Sequence, residues 1–253
     1  MKSEANTLDR YPGNKSSSSM YPIIINNIPR HRNYYELYAG SAAVAKKLYS
    51  PVKNSKLATQ YRSEKIILND KSESVVRLLK QKFPEDVAII NFSAVAILDQ
   101  LTQMYQLPLQ DQVGDFVYLD PPYLFDSRRG SKDLYEHEMN EADHIALLEQ
   151  CIVAPFNCMI SHYPCEVYND YLSSFHMVKF QVSTHAGVAT EALYMNYDIS
   201  KLALASYAYI GHGRTNRQQI NRKQKSLLNK ILNLPDRERE KLLHQMRFSL
   251  NKY

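Results

Sequence analysis

Short apolar runs alternate with amphipathic stretches along most of this chain of 253 residues. The first half predicts four strands, at 34–38, 66–68, 87–90 and 116–119, and the first three are followed by helical patterns at 42–49, 72–82 and 94–105. The second half predicts helix, strand, helix and two strands at 141–151, 156–161, 165–173, 176–182 and 191–197, before a helical end. Strands that alternate with helices favour an α/β fold with a mostly parallel, doubly wound sheet.

Charge is distributed unevenly along the chain. Residues 201–253 hold twelve lysines and arginines against three acids, a net charge of +9, whereas residues 1–200 hold nineteen bases and twenty-three acids, a net charge of −4. We therefore expect one α/β domain over 1–200 and a basic helical extension over 201–253. The extension favours a polyanionic partner such as nucleic acid, although a solvated helical face explains the same charge equally well.

Several classes of protein are disfavoured by composition. No run of eighteen apolar residues occurs, so we expect no membrane-spanning segment, and the polar N-terminus predicts no signal peptide. The three cysteines, Cys151, Cys158 and Cys165, form no C-x-x-C pair, which argues against a disulfide framework and a zinc site and favours the cytoplasm. His137 and His144 lie among acids, but a capping role at Asn140 explains that segment better than a metal.

Three strand ends are candidate ligand sites, because ligands of such sheets bind beyond the carboxyl ends of the strands. The first is Glu36 to Ser41, where small residues between a strand and a helix permit close approach to the backbone. The second is Asp70, which follows the second strand. Its carboxylate could accept hydrogen bonds from ribose hydroxyls, or it could simply be an acid near a helix start.

The third strand end, Asp120 to Tyr123, is the most specific. Pro121 and Pro122 fix the backbone after a buried strand and offer no N–H donor. The Asp120 carboxylate and the Pro121 carbonyl can therefore both accept hydrogen bonds from an amino group, and Tyr123 offers a flat ring for stacking. This combination predicts a pocket for a flipped-out base.

Five segments in this order make the chain resemble the Dam-like class of DNA adenine-N6 methyltransferases, in particular their smaller, phage-type members. The segments are Tyr11-Pro-Gly-Asn-Lys15, Glu36-Leu-Tyr-Ala-Gly-Ser-Ala-Ala-Val44, Asp70, Asp120-Pro-Pro-Tyr123 and Glu191-Ala-Leu-Tyr-Met-Asn-Tyr197. The resemblance implies a seven-stranded sheet of the class I S-adenosylmethionine-dependent methyltransferase type, S-adenosylmethionine as cofactor, and methyl transfer to adenine N6 in DNA. It implies no metal.

The resemblance also assigns roles to individual residues. Asp120, Pro121, Pro122 and Tyr123 become the catalytic turn. The expected cofactor-binding residues are Tyr11, Lys15, Glu36, Tyr38, Ala39, Gly40, Ser41 and Asp70. The chain departs from the family pattern at Ala42 and Asn14, where glycines are usual, and these larger side chains could weaken cofactor binding.

No separate target-recognition domain fits between the first cofactor loop and the catalytic turn. The segment Asp126–Asn140 and the basic extension are therefore the candidates for contact with nucleic acid. Their candidate residues are Arg128, Arg129, Lys132, Tyr135, Arg214, Arg217, Arg222 and Lys225. Two alternatives remain open: an RNA adenine-N6 methyltransferase, and a catalytically weakened nucleic-acid-binding protein. The sequence does not reveal a cognate nuclease or a second subunit.

Overall fold

A computed structural model describes residues 20–49, 63–105, 114–127, 136–184 and 187–250. Contacts between residues divide the chain into two compact units, 1–208 and 209–253. Within the described residues, no helix is both long enough and apolar enough to cross a membrane.

The first unit contains six α-helices, two short 3-10 helices (Phe125–Ser127 and Ile199–Lys201) and seven strands among its described residues. In chain order the α-helices and strands are α1 (Tyr21–Ile25), β1 (Asn33–Glu36), α2 (Ala43–Tyr49), β2 (Lys65–Asn69), α3 (Glu73–Lys82), β3 (Val87–Ile90), α4 (Ala94–Tyr105), β4 (Phe116–Leu119), α5 (Glu141–Val153), β5 (Asn157–His162), α6 (Glu166–Tyr171), β6 (His176–Thr184) and β7 (Gly187–Met195). The second unit contains α7 (Gly213–Leu232) and α8 (Asp236–Leu250).

The seven strands form one sheet in the order β3-β2-β1-β4-β5-β7-β6. Neighbours from β3 to β5 are parallel, and β7 runs antiparallel to both β5 and β6. The predicted α/β fold with a mostly parallel, seven-stranded sheet is therefore confirmed. The strand order changes direction between β1 and β4, and this switch point is where sheets of this kind place their ligands.

Both faces of the sheet are covered by apolar packing. On one face, Val117 and Ile160 of the sheet join Leu98 of α4, Leu147 of α5 and Tyr168 of α6 in a continuous buried core. The other face carries an aromatic cluster in which the Tyr34 ring lies 5.7 Å from His31, 5.3 Å from Tyr49 and 5.9 Å from Phe116. Burial on both faces explains why the central strands are nearly continuous apolar runs.

The last strand, β7, begins at Gly187, earlier than the predicted 191. Its register with β6 runs from His176↔Met195 to Thr184↔Gly187, but β5 pairs only with the segment from Ala192 to Met195. The first half of β7 therefore extends past the carboxyl end of β5 as part of a two-stranded ribbon. It was missed because this half lacks the apolar run that marks a strand buried on both faces.

Residues just after position 200 are bound to the first unit by backbone contacts. Leu204 forms a bridge with Pro29, the Arg30 amide donates to the Ala203 carbonyl, and the Ala205 amide donates to the Ile28 carbonyl. The chain up to these residues is thus tied to the first unit, and the division into two units falls after Ala208.

Candidate functional site

The loop after β1 is fixed to both neighbouring strands at the switch point. The Leu37 amide donates to the Tyr118 carbonyl of β4 at 3.1 Å, and the Ala39 amide donates to the Asn69 carbonyl of β2 at 2.9 Å. The Gly40 backbone has a φ of +47°, in the left-handed region that glycine adopts at low cost. This explains the small residues that the sequence places here.

Asp70 connects this loop to the end of β2. Its Oδ2 accepts a hydrogen bond from the Gly40 amide at 2.8 Å, and its Oδ1 accepts one from the Ser72 amide at 2.9 Å. Burial raises the pKa of the Asp70 carboxyl, while these two hydrogen bonds oppose the shift. The N-cap of α3 is Ser72, whose Oγ accepts from the Val75 amide, so Asp70 is not the cap of that helix.

Glu36 ends β1 beneath the first turn of α2. It is 3% exposed, and its Oε2 accepts hydrogen bonds from the Tyr34 hydroxyl at 2.9 Å and the Ala45 amide at 3.0 Å. The second bond satisfies an amide in the first helical turn, which has no partner within the helix. Burial raises the pKa of Glu36 to about 8, and the nearby Asp120 adds to the shift.

Two further residues shape this part of the site. Lys82, in the last turn of α3, donates from its Nζ to the Ser41 carbonyl at 3.1 Å and lies close enough to Glu36 to favour its ionised form. Tyr38 is half-buried and packs against the core that α4, α5 and α6 form with the sheet. Burial raises the pKa of its hydroxyl. Sequence reasoning had assigned no role to Lys82, because it contacts Ser41 across forty-one residues.

Ala42 keeps the backbone shape that a glycine would adopt at its position. Its φ is +49° and it is fully buried. Its amide donates to the Ala39 carbonyl, and its own carbonyl accepts from the amide of Lys46 in the first turn of α2. Left-handed φ angles cost a non-glycine residue about 1–2 kcal/mol. Ala42 therefore stores local strain in this loop.

The predicted catalytic turn, Asp120 to Tyr123, follows β4, which is the neighbour of β1. Asp120 is half-buried, Pro121 is buried, and Tyr123 is only 7% exposed. The Tyr123 ring lies 4.4 Å from the Tyr163 ring and 5.1 Å, edge to face, from the His162 ring. Most of the flat ring that we expected to be open for stacking is thus covered by two aromatic neighbours in this structure.

The Tyr123 hydroxyl is bound by a side chain of β7. It donates to Oε1 of Glu191 at 3.1 Å, and the Ser161 hydroxyl of β5 donates to the same oxygen at 2.5 Å. Glu191 is 1% exposed and Ser161 is fully buried. The sequence places Glu191 in a strand and in one of the segments that carry the family resemblance, but it does not predict this contact, because the partner lies sixty-eight residues away along the chain.

The backbone beyond Tyr123 is anchored by His162. Its Nε2 accepts a hydrogen bond from the Leu124 amide at 3.1 Å, and its Nδ1 donates to the Tyr163 carbonyl at 2.7 Å. The ring stacks on Tyr168 of α6 with centroids 3.9 Å apart. These contacts require the tautomer protonated at Nδ1.

The far end of the predicted contact segment returns to the Asp70 region. Glu136 accepts a hydrogen bond from the Ser72 hydroxyl at 2.6 Å, and His137 lies close enough to lower the pKa of Asp70, although burial dominates that shift. At the near end, the Ser127 amide and hydroxyl both donate to the Leu124 carbonyl.

Some predicted residues lie outside the described residues. They are Tyr11, Asn14, Lys15, Arg128, Arg129, Lys132 and Tyr135. At Asn140 the predicted cap is confirmed, since its side chain accepts from the Asp143 amide and the Asp143 carboxylate accepts from the Asn140 amide. Among the described residues, no group of three or more His, Cys, Asp and Glu side chains is placed to hold a metal ion.

The other predicted nucleic-acid contacts, Arg214, Arg217, Arg222 and Lys225, lie on α7 in the second unit. This helix has six lysines and arginines and no acid. At about 100° per residue, the side chains of Arg214, Arg217, Arg222 and Lys225 fall within an arc of about 140°, whereas Lys223 and Lys230 lie on the other side of the helix. Arg217 is half-buried and the other three of the first group are exposed.

Comparison with known proteins gave structural neighbours only. No protein-family model matches the chain. No curated protein matches it. One structural neighbour is an O-methyltransferase from Bacillus cereus in complex with SAH, with a TM-score of 0.44 and 10% identity over 76% of this chain and 87% of that one. A second is an S-adenosylmethionine-dependent methyltransferase from Anabaena variabilis, with a TM-score of 0.43 and 9% identity over 75% of this chain and 89% of that one. A third is a dimethyladenosine transferase from Plasmodium falciparum, with a TM-score of 0.40 and 10% identity over 76% of this chain and 62% of that one.

These similarities are weak, and the fold class is established by the sheet of this chain itself. Its seven strands are mostly parallel, in the order β3-β2-β1-β4-β5-β7-β6, with β7 antiparallel to both of its neighbours. The fold alone does not specify a substrate.

Proposed function

We propose that this protein transfers the methyl group of S-adenosylmethionine to the N6 amine of adenine in DNA. The observation that carries the proposal is the position of the Asp120-Pro-Pro-Tyr123 turn. It begins at the carboxyl end of β4, at the switch point of the sheet, within electrostatic reach of the buried Glu36 at the end of β1. A methyl-acceptor pocket and a cofactor loop would adjoin at this point.

The acidic and small residues of the site suit S-adenosylmethionine chemically. Ribose hydroxyls are hydrogen-bond donors, and Asp70 offers a buried carboxylate at the end of the second strand. The amino-acid end of the cofactor carries an ammonium group, for which Glu36 is an acidic partner. Ala39 and Gly40 leave the backbone open to close approach. When bound, the cofactor would supply an electrophilic methyl group.

Asp120 and the Pro121 carbonyl would act on the target amine. The N6 lone pair of adenine is delocalised into the ring and is a poor nucleophile. Two acceptors that bind the two amine protons favour the tetrahedral geometry needed for attack, and fixed acceptors require little reorganisation during the reaction. Pro121 and Pro122 hold these acceptors in place, so that catalysis consists mainly of positioning.

The α7 helix is the proposed contact to the phosphate backbone. Four basic side chains on one side of a helix without acids form a positive stripe, which suits a polyanion. This contact would be independent of sequence and would position the polynucleotide without reading its bases.

The polynucleotide class is tested by methyl transfer to three substrates. Full-length protein with isotopically labelled S-adenosylmethionine is offered adenine-unmethylated duplex DNA, the same DNA in single-stranded form, and RNA. We expect N6-methyladenine in DNA, identified by mass spectrometry of the nucleosides. Transfer to RNA alone would contradict the DNA proposal, and cofactor binding without transfer to any of the three would favour a catalytically weakened binding protein.

A matched pair of charge reversals tests the helix. The variant Arg222→Glu/Lys225→Glu changes the stripe, and Lys223→Glu/Lys230→Glu changes the net charge equally on the other side of α7. For the first variant we expect weaker DNA binding and a salt dependence of affinity that is flatter by about one unit of slope per lost phosphate contact. Equal effects of both variants would refute a specific stripe and leave only a general charge effect.

A further inference from the structure

The buried carboxyl group of Glu191 has no role in the proposed chemistry, yet it lies directly behind the catalytic turn. It belongs to the part of β7 that extends beyond the β5 pairing, one residue before the Ala192↔His162 pair. The Glu191 side chain faces the same side of the sheet as Ser161, because Ser161 is paired with Leu193 and side chains alternate along a strand. An acid at this buried position is costly unless it is hydrogen-bonded.

Both observed donors to Glu191 converge on one atom. The Tyr123 and Ser161 hydroxyls donate to its Oε1, and all three residues are at most 7% exposed. Ser161 lies within β5, where it is paired with Leu193 of the antiparallel strand β7, and is therefore fixed by the sheet itself. The carboxyl group thus joins the last residue of the catalytic turn to two strands of the rigid sheet.

A second contact fixes Leu124, the residue that follows the turn. The His162 Nε2 accepts from the Leu124 amide, and the His162 ring packs edge to face against Tyr123. The His162 ring is itself fixed by its stack on Tyr168. The hydroxyl of Tyr123 is the one polar atom of its ring, so its bond to Glu191 determines how far the ring can rotate or withdraw from its aromatic neighbours.

We propose that Glu191 is a positioning residue that acts through Tyr123: it holds the Tyr123 hydroxyl so that the ring and the preceding Asp120 keep the geometry needed for transfer. This inference rests on the proposed adenine methylation. It predicts that the acceptor atom at position 191 matters for turnover, while cofactor binding, which involves Asp70 and Gly40 at another strand end, does not depend on it.

The test is a double-mutant cycle in the full-length protein. Glu191→Leu removes the acceptor and keeps most of the volume, Glu191→Gln keeps an acceptor oxygen, and Tyr123→Phe removes the donor. We expect Glu191→Leu and Tyr123→Phe each to lower kcat about three- to tenfold, as the loss of one hydrogen bond implies. Glu191→Gln should remain within about twofold of wild type, and the double variant Tyr123→Phe/Glu191→Leu should lose little beyond the worse single variant.

Three readouts separate a positioning role from a structural one. The dissociation constant for S-adenosylmethionine should be unchanged in every variant, thermal melting should show that each is folded, and the loss should appear in kcat for unmethylated DNA. Losses that multiply in the double variant, or a Tyr123→Phe enzyme with wild-type kcat, would overturn the inference. A Tyr123→Phe enzyme with wild-type kcat would overturn the inference even if Glu191→Leu does not fold.

The wild-type protein distinguishes the two possible failures. If it transfers methyl groups to DNA or RNA and the cycle shows no coupling, Glu191 has no positioning role but the proposed function stands. If the folded wild-type protein binds the cofactor and methylates neither DNA nor RNA, the proposed function fails, and the role of Glu191 in it fails too.

Discussion

Replacing Asp70 with alanine should damage both the stability of the loop and its affinity for S-adenosylmethionine. The carboxylate accepts hydrogen bonds from the Gly40 and Ser72 amides, and it is 8% exposed. Without it, two buried N–H groups lose their acceptor, which costs about 1–3 kcal/mol for each group. Burial of the Asp70 carboxyl raises its pKa and offsets part of the stabilisation that these hydrogen bonds provide. We therefore expect a net loss of about 3 kcal/mol in the free energy of unfolding.

Urea denaturation measures this loss. With a slope of about 3 kcal/mol per molar urea at the upper end for small proteins, the unfolding midpoint should fall by about 1 M. Calorimetric titration with S-adenosylmethionine should show a dissociation constant raised about ten- to a hundredfold, as expected when hydrogen bonds to a charged acceptor are lost.

Ser72→Ala is the matched control for this experiment. It removes the N-cap of α3 and the contact with Glu136, at a cost of about 1 kcal/mol, but its backbone amide still donates to Asp70. Its affinity for the cofactor should therefore match that of wild type. An Asp70→Ala protein with the stability of Ser72→Ala and unchanged cofactor affinity would refute both parts of the reasoning.

Two buried groups predict opposite responses to pH. Burial raises the pKa of Glu36 from 4.5 to about 8. Between these two pH values the ligand-free folded state keeps a proton that the unfolded state has released. The free energy of unfolding should therefore fall as pH rises from about 5 to 8. Glu36→Gln should flatten this slope in urea titrations, and a persisting slope would contradict the assignment. The pKa of His31 is lowered to about 4 by burial, so stability should fall by up to about 3 kcal/mol as pH drops from about 6.5 to 4. His31→Gln should remove that loss, and an unchanged acid midpoint would exclude His31 as its cause.

Much of the sheet could be predicted from the sequence because its central strands are short apolar runs with polar ends. The predicted ranges 87–90, 94–105 and 116–119 coincide with β3, α4 and β4. The order of the remaining elements is also as predicted. The first half of β7 differs, since a ribbon strand pairs with one neighbour and needs no apolar run.

The candidate site could be predicted only in part. Glu36, Asp70 and Asp120 were identified because each directly follows or ends an apolar strand, which is a local signal. The contacts of Lys82 and Glu191 could not be predicted, because each joins the residue to a partner far away along the chain. The positive φ of Ala42 could not be predicted either, since a sequence shows which residue occupies a position but not its φ angle.

The most direct test of the proposed function compares wild type with Asp120→Ala in a single measurement of N6-methyladenine. Both proteins are incubated with unmethylated duplex DNA and S-adenosylmethionine at concentrations far above the measured dissociation constant, and the nucleosides are quantified by mass spectrometry. We expect N6-methyladenine from wild type and none from Asp120→Ala, with nearly equal cofactor affinity in the two. Equal N6-methyladenine from both proteins would contradict the assignment of the Asp120-Pro-Pro-Tyr123 turn as the catalytic centre.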